Sequence, residues 1–140
     1  MIREVGRQAV LLAGLALLPA LAQALHLHDR ISWQPPAADE VTVSRAKEWG
    51  DAVMWLDARP IDDFNSAHIP RALPLNTADW DSLLGPVLNS WSPARRIVVY
   101  CSRQSCDASR EVARRLRDEA GLKNIYVLTG GWEAWQESGK

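Results

Sequence analysis

The chain has 140 residues, of which 47% are hydrophobic and 24% charged, with 16 Lys and Arg against 17 Asp and Glu. This composition excludes a disordered or collagen-like chain and predicts one compact domain. The net charge of −1 gives no support for nucleic-acid binding, and two cysteines, Cys101 and Cys106, are too few for a disulfide scaffold or an all-cysteine zinc site.

The first 26 residues have the pattern of a targeting or anchoring segment. Arg3 and Arg7 precede an uncharged stretch, AVLLAGLALLPALAQAL, so that a basic region is followed by an apolar one. Small residues at 22 and 24 predict signal-peptide cleavage after Ala24, whereas retention of the segment predicts one N-terminal transmembrane helix. A buried helix of a soluble domain is less favoured, because a helix that is apolar all round needs partners on every side.

Both favoured alternatives place the remaining chain on the extracytoplasmic side of a bacterial-type cell membrane. The domain is then either anchored there or exported to the periplasm. Residues 27–40, which include Pro35 and Pro36, predict a short stiff spacer before a domain at 41–140.

The domain begins with a predicted short helix over 45–49, with Ser44 as its N-cap and Gly50 as its end. Continuous apolar runs then predict three strands that are buried on both faces, at 52–56, 97–100 and 125–128. Residues 75–93 give no clear element.

Residues 109–120 have the apolar spacing of an amphipathic helix, which Gly121 ends. A helix between two strands with short connections forms a βαβ unit, so we expect an α/β fold with a central parallel sheet and helices on both faces. The tryptophans at 33, 49, 55, 80 and 91 are expected to pack in the domain rather than form a ligand cage.

Cys101 directly follows the second strand, at the strand end where ligands bind in open parallel sheets. The amides of the loop 101–108 and the N-terminus of the next helix favour an anion, which a thiolate is. This position predicts a lowered pKa and a nucleophilic Cys101, with an inert buried thiol as the alternative. Arg103 is either a cation for an anionic substrate or a solvated loop charge.

Several short motifs follow one another in a characteristic order. They are Asp57-Ala58-Arg59, Phe64, His68-Ile69-Pro70-Arg71-Ala72, the strand and loop at 98–101, and residues 124–135 with Gly130-Gly131-Trp132. In this order they resemble a rhodanese-like sulfurtransferase domain. The resemblance implies a rhodanese-like fold, preceded here by the N-terminal hydrophobic segment. It also implies sulfur transfer through a persulfide on Cys101, without metal or organic cofactor.

The resemblance further implies a small sulfur-containing anion such as thiosulfate, or a persulfide, as donor and a thiol or cyanide as acceptor. It assigns the substrate loop to five residues, Ser102, Arg103, Gln104, Ser105 and Cys106. The loop amides would stabilise the anionic sulfur, and Arg103 would bind a sulfonate-like leaving group. Three residues are expected to support the architecture rather than react, namely Asp57, Arg59 and His68.

The same resemblance predicts a tight turn with positive φ at Gly130 and Gly131, before a helix that begins near Trp132. Trp132 and Trp135 are expected to pack that helix on the sheet. Two positions depart from the common pattern, because Ala67 and Arg71 stand where the family usually has glycine. The backbone there must avoid positive φ or tolerate strain.

The loop departs from the family pattern as well, because it lacks a central glycine and is longer. Its second cysteine leaves three alternatives open: Cys106 forms a disulfide with Cys101, acts as a resolving thiol, or is structural. Asp107 stands where the related phosphatases place a phosphate-binding arginine, which argues against phosphatase chemistry. The alternative to a sulfurtransferase is a non-catalytic binding module or a thiol–disulfide redox partner that uses Cys101 and Cys106.

Overall fold

The computed structural model describes residues 39–139. The predicted N-terminal segment at 1–26, nearly all of the predicted spacer at 27–40, and Trp33 lie outside these residues. Within the described range, no helix is long and apolar enough to cross a membrane.

Five short strands and five helices make up residues 39–139. In chain order they are β1 (Glu40–Val41), α1 (Val43–Glu48), β2 (Val53–Asp57), α2 (Ile61–Ser66), β3 (Leu73–Pro74), α3 (Trp80–Ser90), β4 (Arg96–Tyr100), α4 (Cys106–Asp118), β5 (Ile125–Leu128) and α5 (Gly131–Glu137). Single 3-10 turns precede β2 and α4. All strand pairs are parallel, in the order β1-β5-β4-β2-β3, which confirms the predicted α/β class with a central parallel sheet.

The central strand β4 shows why the sheet could be recognised from apolar runs. Residues 97–100 are completely buried. Ile97 and Val99 face the core shared with α3 and α4, whereas Val98 and Tyr100 face the core shared with α1, α2 and α5. Helices therefore cover both faces of the sheet, as predicted, and such a strand has no polar alternation.

The predicted boundaries of two helices are wrong. Helix α1 begins at Val43, and its N-cap is Thr42, whose Oγ1 accepts a hydrogen bond from the Arg45 amide at 3.4 Å, so Ser44 is not the cap. Helix α4 begins at Cys106 rather than Ser109 and ends at Asp118, so most of the predicted substrate loop is a 3-10 turn that runs directly into the helix.

The segment 75–93, for which no element was predicted, contains α3. Gly85 and Pro86 lie inside this helix, and both residues are poor helix formers in a helix interior. Packing overrides this weakness, because Trp80 and Val87 of α3 are buried in the core. Trp91 also packs against this core, and Trp49 and Trp55 pack against the opposite one, which confirms their predicted packing role.

The turn after α2 retains a glycine-like backbone without glycine. Arg71 has φ of 66°, in the left-handed region, whereas Ala67 has φ of −168° and is simply extended. Arg71 therefore tolerates strain at a position where the common family pattern has glycine. Its side chain reaches the solvent and pairs with Asp51 at 2.8 Å.

Candidate active site

The carboxyl ends of β2 and β4 bring the main sequence motifs together. Asp57, the last residue of β2, lies opposite Tyr100, the last residue of β4, in the parallel register. Cys101 follows Tyr100, and the amide of Ala58 donates a hydrogen bond to the Tyr100 carbonyl at 2.8 Å. The Asp57-Ala58-Arg59 motif and the cysteine loop therefore lie at one edge of the sheet.

Asp57 and Arg59 form a buried ion pair at this edge. The two side chains are 0% and 6% exposed, and Nη2 of Arg59 lies 2.6 Å from Oδ2 of Asp57. The same Nη2 donates to the Ala67 carbonyl at 2.7 Å, and the guanidinium lies over the Trp132 ring at 4.7 Å. Burial lowers the pKa of Arg59, but the hydrogen bond and charge of Asp57 outweigh burial and raise it. The pair ties β2 to the turn after α2 and to α5.

His68 and Tyr100 complete this support. Nδ1 of His68 donates to the Phe64 carbonyl at 2.8 Å, and the two rings stack at 4.0 Å. The Tyr100 hydroxyl accepts a hydrogen bond from the Ile69 amide at 3.1 Å. Burial raises the pKa of Tyr100, so this hydroxyl stays protonated. The structure thus places His68 in the turn after α2, where it holds the local backbone.

The Cys101 thiol is buried beneath its loop. The residue is 2% exposed, and Sγ lies 3.2 Å from Oγ of Ser109 in the first turns of α4. Ser109 in turn donates to the Cys106 carbonyl at 3.0 Å. Burial raises the pKa of Cys101, and the opposing hydrogen bond from Ser109 does not compensate. The predicted lowering of this pKa is therefore wrong for the described conformation, because desolvation disfavours a thiolate.

Ser109 was not among the candidate site residues of the sequence analysis. It shares the inward face of α4 with Val112, Ala113 and Leu116, all of them buried. Ser109 is a polar residue on the apolar face of the helix that follows the candidate nucleophile. This pattern could have identified it from the sequence.

Two amides of the loop already have partners within the chain. The Arg103 amide donates to Oε2 of Glu133 in α5 at 2.7 Å, and the Ser105 amide donates to the Ser102 carbonyl at 3.1 Å. The Arg103 side chain is exposed and pairs with Glu137 at 3.0 Å. In this conformation, Arg103 is thus engaged with α5 through both its backbone and its side chain.

Helix α5 also contacts the loop through a glycine. Gly131 has φ of 58°, and a Cβ built on it would lie 2.2 Å from the Cys101 carbonyl oxygen. That carbonyl accepts a hydrogen bond from the Trp132 amide at 2.8 Å. Gly130 has φ of 73°, so the predicted positive φ at both glycines is confirmed. Trp132 stacks near Tyr100, and Trp135 packs edge-on against Trp55, as expected for a helix on the sheet.

Cys106 is the first residue of α4 and lies half-buried above the site. Its Sγ donates to the Arg103 carbonyl at 3.3 Å, and both cysteines are free thiols. Cys106 packs against the core cluster that contains Cys101, and its charge adds to the rise in the Cys101 pKa. In residues 39–139, no three His, Cys, Asp or Glu side chains come together as metal ligands.

A cleft of about 550 Å³ opens along the loop, between it, α2 and the chain before α3. The loop contributes Ser102, Gln104 and Ser105 to its walls, so three of the five residues of the predicted substrate loop face this space. The volume lies within the range of small-molecule sites.

A model of the rhodanese-like domain matches residues 41–138. The chain belongs to the rhodanese-like domain family. It is similar to the thiosulfate sulfurtransferase GlpE of Shewanella oneidensis, with 30% identity over 87 residues, which cover 62% of this chain and 79% of that protein. Membership of the rhodanese-like family and this relative support a sulfurtransferase-like function.

Two solved structures show the same rhodanese-like fold. The rhodanese-like domain of the Alr3790 protein from Anabaena sp. superposes with a TM-score of 0.56 at 26% identity, over 74% of this chain and 76% of that one. The BH2092 protein from Bacillus halodurans gives a TM-score of 0.59 at 18% identity, over 86% of this chain and 82% of that one. The predicted resemblance and the rhodanese-like fold of the domain are confirmed.

Proposed function

We propose that this rhodanese-like domain transfers sulfane sulfur through a persulfide on Cys101. The observation that carries the proposal is the position of the Cys101 thiol, which follows β4 at the sheet edge and is hydrogen-bonded to Ser109 at 3.2 Å. Strand ends of this kind hold ligands in parallel sheets. The family and the GlpE relative support the same reaction class.

The proposed reaction has two displacement steps. After its proton has passed to solvent, the Cys101 thiolate attacks the outer sulfur of thiosulfate or a persulfide, and the sulfur–sulfur bond of the donor breaks. Sulfite or a thiolate leaves, and Cys101 holds the transferred sulfur. An acceptor thiolate or cyanide then attacks that sulfur, and the Cys101 thiolate is restored. Neither an external oxidant nor a cofactor takes part.

Ser109 changes its hydrogen-bonding role in this scheme. Its hydroxyl hydrogen points to the Cys106 carbonyl while Cys101 is protonated, so the thiol donates to Oγ. When Cys101 loses its proton, Ser109 donates to the thiolate, which offsets part of the desolvation cost.

The loop must open for this chemistry, because Cys101 is 2% exposed. We assign the substrate contacts to Ser102, Gln104 and Ser105 along the cleft, and to Arg103 and Cys106 once the loop has moved. Arg103 reaches an anionic leaving group only after it leaves Glu137.

The deciding experiment measures sulfur release from thiosulfate and from a low-molecular-weight persulfide, with cyanide and with a thiol as acceptor. We expect Cys101→Ser to abolish release, whereas Cys106→Ser retains at least part of it. The intact mass of the wild-type protein should gain one sulfur atom after exposure to the donor alone. Unchanged activity of Cys101→Ser would contradict the proposal.

A thiol–disulfide redox partner is the second candidate, and the packing of Cys106 against the core cluster that contains Cys101 favours it. Both cysteines are free thiols, and such a pair can form a disulfide in an oxidising compartment. The intact mass before and after a mild reductant separates the two candidates, because a disulfide lacks two hydrogens and a persulfide carries an extra sulfur.

We further propose that the domain works on the extracytoplasmic side of a bacterial-type membrane, because residues 1–26 combine Arg3 and Arg7 with an uncharged apolar stretch. Cell fractionation with an antibody against the C-terminus tests this. An anchored form stays with the membrane fraction. A form cleaved after Ala24 appears in the periplasm with a lower mass. Recovery in the cytoplasm would contradict the proposal.

A further inference from the structure

The cleft beside the loop has a strongly one-sided charge. Its lining includes three carboxylates, and no Lys, Arg or His contributes to it among the described residues. Asp62 and Asp63 lie in the first turn of α2, and Asp79 stands immediately before α3. None of the three makes an ion pair within residues 39–139. No ion pair within the described residues therefore neutralises these three carboxylates.

A second observation in the cleft is independent of these charges. Asn76 also lines it and is 5% exposed. Its Oδ1 accepts a hydrogen bond from the Asp79 amide at 2.8 Å, which fixes the orientation of the side chain. Its Nδ2 has no hydrogen-bond partner in the described part of the chain. A buried donor without a partner is costly, so Nδ2, which is closed to solvent in this conformation, would gain from an acceptor oxygen of a ligand that displaces the cleft wall at Asn76.

Cations that could counter this charge lie elsewhere. Arg59 is buried and bound to Asp57, and Arg103 is bound to Glu137 on the α5 side of the loop. Thiosulfate carries two negative charges and would be repelled from this cleft by its three carboxylates. A ligand with an ammonium group gains from the same field.

Resting on the proposed function, we propose that this cleft selects small sulfur donors and acceptors that carry an ammonium group and a carbonyl oxygen. The ammonium group binds among Asp62, Asp63 and Asp79, and the carbonyl oxygen accepts from Nδ2 of Asn76. The ligand's sulfur then lies at the loop wall formed by Ser102 and Gln104, and it reaches Cys101, which does not itself line the cleft, once the loop has opened. Thiosulfate is disfavoured relative to such aminothiols and their persulfides.

The first test compares acceptors of similar size in the sulfur-transfer assay, at equal thiolate concentration and after subtraction of the uncatalysed rate. The acceptors are cysteamine, 2-mercaptoethanol and mercaptoacetate, which are positive, neutral and negative. We expect kcat/KM to fall in that order, by about fivefold or more from the first to the last, because each exposed carboxylate contributes modestly. The preference should weaken as salt is raised.

The triple variant Asp62→Asn, Asp63→Asn, Asp79→Asn should remove the order. A matched control changes three exposed carboxylates outside the cleft, Glu48→Gln, Asp118→Asn and Glu119→Gln, and alters the net charge equally. The control should keep the order. Equal kcat/KM for the three acceptors in wild type would overturn the inference. So would an equal loss of the acceptor order in the cleft variant and in the control variant.

The role of Asn76 is tested with cysteinamide, which adds a carbonyl group to cysteamine. Asn76→Asp keeps the acceptor for the Asp79 amide and replaces Nδ2 by an oxygen. We expect the ratio of kcat/KM for cysteinamide to that for cysteamine to be above one in wild type and to fall several-fold in Asn76→Asp. An unchanged ratio would contradict a contact between Asn76 and the carbonyl group.

A measurement without turnover separates this inference from the proposed function. In Cys106→Ser, Cys101 is the single remaining thiol, and its modification is followed with 2-aminoethyl and 2-sulfonatoethyl methanethiosulfonate. Relative to a free thiol, the cationic reagent should react faster, and the triple cleft variant should lose the difference. This result together with no sulfur transfer would reject the proposed function and keep the charge selectivity. Sulfur transfer together with faster modification by the anionic reagent would keep the proposed function and reject the charge selectivity.

Discussion

The carboxylate of Glu133 accepts a hydrogen bond from the backbone amide of Arg103 at 2.7 Å. Through this contact, helix α5 holds the loop that covers Cys101. Gly131 lies against the Cys101 carbonyl in the same helix, and Glu137 pairs with the Arg103 side chain. The C-terminal helix therefore closes the site, and a negative group occupies an amide that the family resemblance assigned to the substrate anion.

Glu133→Ala should open the loop. The variant loses a hydrogen bond between an amide and a charged acceptor, a contact that contributes about 1.5 kcal/mol, so alkylation of Cys101 by iodoacetamide should rise about tenfold. Mass spectrometry of the digested protein, quenched at several times, gives the rate at Cys101 and at Cys106 separately.

Two further variants control this experiment. Glu133→Gln keeps an acceptor oxygen and should restore most of the slow rate, whereas Glu137→Ala removes only an exposed ion pair and should change little. In all forms, half-buried Cys106 should react before buried Cys101. A Cys101 rate that is identical in Glu133→Ala and wild type would show that the contact does not limit opening.

The pH dependence of Cys101 reactivity should follow its raised pKa. Burial favours the neutral thiol, so in Cys106→Ser the alkylation rate should keep rising above the pH at which a free cysteine titrates, about 8.5. Adding Ser109→Ala removes the hydrogen bond that lowers the pKa and should move the midpoint further up. Adding Ser109→Thr, which keeps the hydroxyl, is the control. A midpoint below that of free cysteine would contradict the effect of burial.

The raised pKa of Cys101 should also make the folded protein less stable at alkaline pH. Because the folded state holds the Cys101 proton more tightly than the unfolded chain, this group's contribution is complete below the unfolded pKa. It is lost as the pH rises through the folded pKa. Wild type should thus lose more unfolding free energy at alkaline pH than Cys101→Ala, as measured by urea denaturation.

The fold could be predicted largely because its central strands are buried on both faces. The apolar runs at β2, β4 and β5 need no periodicity to be recognised, and they define the parallel sheet. Strands β1 and β3 have two residues each, which is too short for any pattern. Helix α3 was missed because Gly85 and Pro86 oppose helix formation locally and only tertiary packing reveals it.

The site residues, too, could be predicted only where local sequence reveals them. Cys101 was identifiable from its place at a strand end, which is local information. Glu133 contacts Arg103 from a distant part of the chain, and Asn76 reaches the cleft from the segment without a clear pattern. The predicted direction of the shift in the Cys101 pKa was wrong. The sequence reveals the helix N-terminus, which lowers the pKa, but it does not reveal the burial of the thiol beneath a closed loop, which raises it.

The buried ion pair of Asp57 and Arg59 should contribute far more to the free energy of unfolding than the exposed ion pairs do. Asp57→Asn leaves Arg59 buried without its charge partner and should cost about 3–5 kcal/mol of unfolding free energy, measured by urea denaturation. Asp51→Asn breaks the exposed pair with Arg71 and should cost less than about 1 kcal/mol. Similar losses in both variants would contradict a supporting role for Asp57.

Gly131→Ala tests how tightly α5 seats against the nucleophile. The new Cβ would lie 2.2 Å from the Cys101 carbonyl oxygen, and the residue would keep a positive φ, so backbone atoms must move. The combined clash and strain should cost about 2–4 kcal/mol in unfolding free energy. Sulfur transfer should fall even where the protein is fully folded, because Cys101 shifts with its carbonyl.

Gly85→Ala is the matched control for this change. Gly85 lies inside α3 with open space around its Cβ position apart from its chain neighbours, and the better helix propensity of alanine is opposed by the contact of its Cβ with Pro86, so Gly85→Ala should change the free energy of unfolding by less than about 1 kcal/mol and leave sulfur transfer unchanged. Urea denaturation and the persulfide assay on both variants give the comparison. A stable and fully active Gly131→Ala would show that α5 can withdraw from Cys101 without cost, and would remove the basis for a closed site held by this helix.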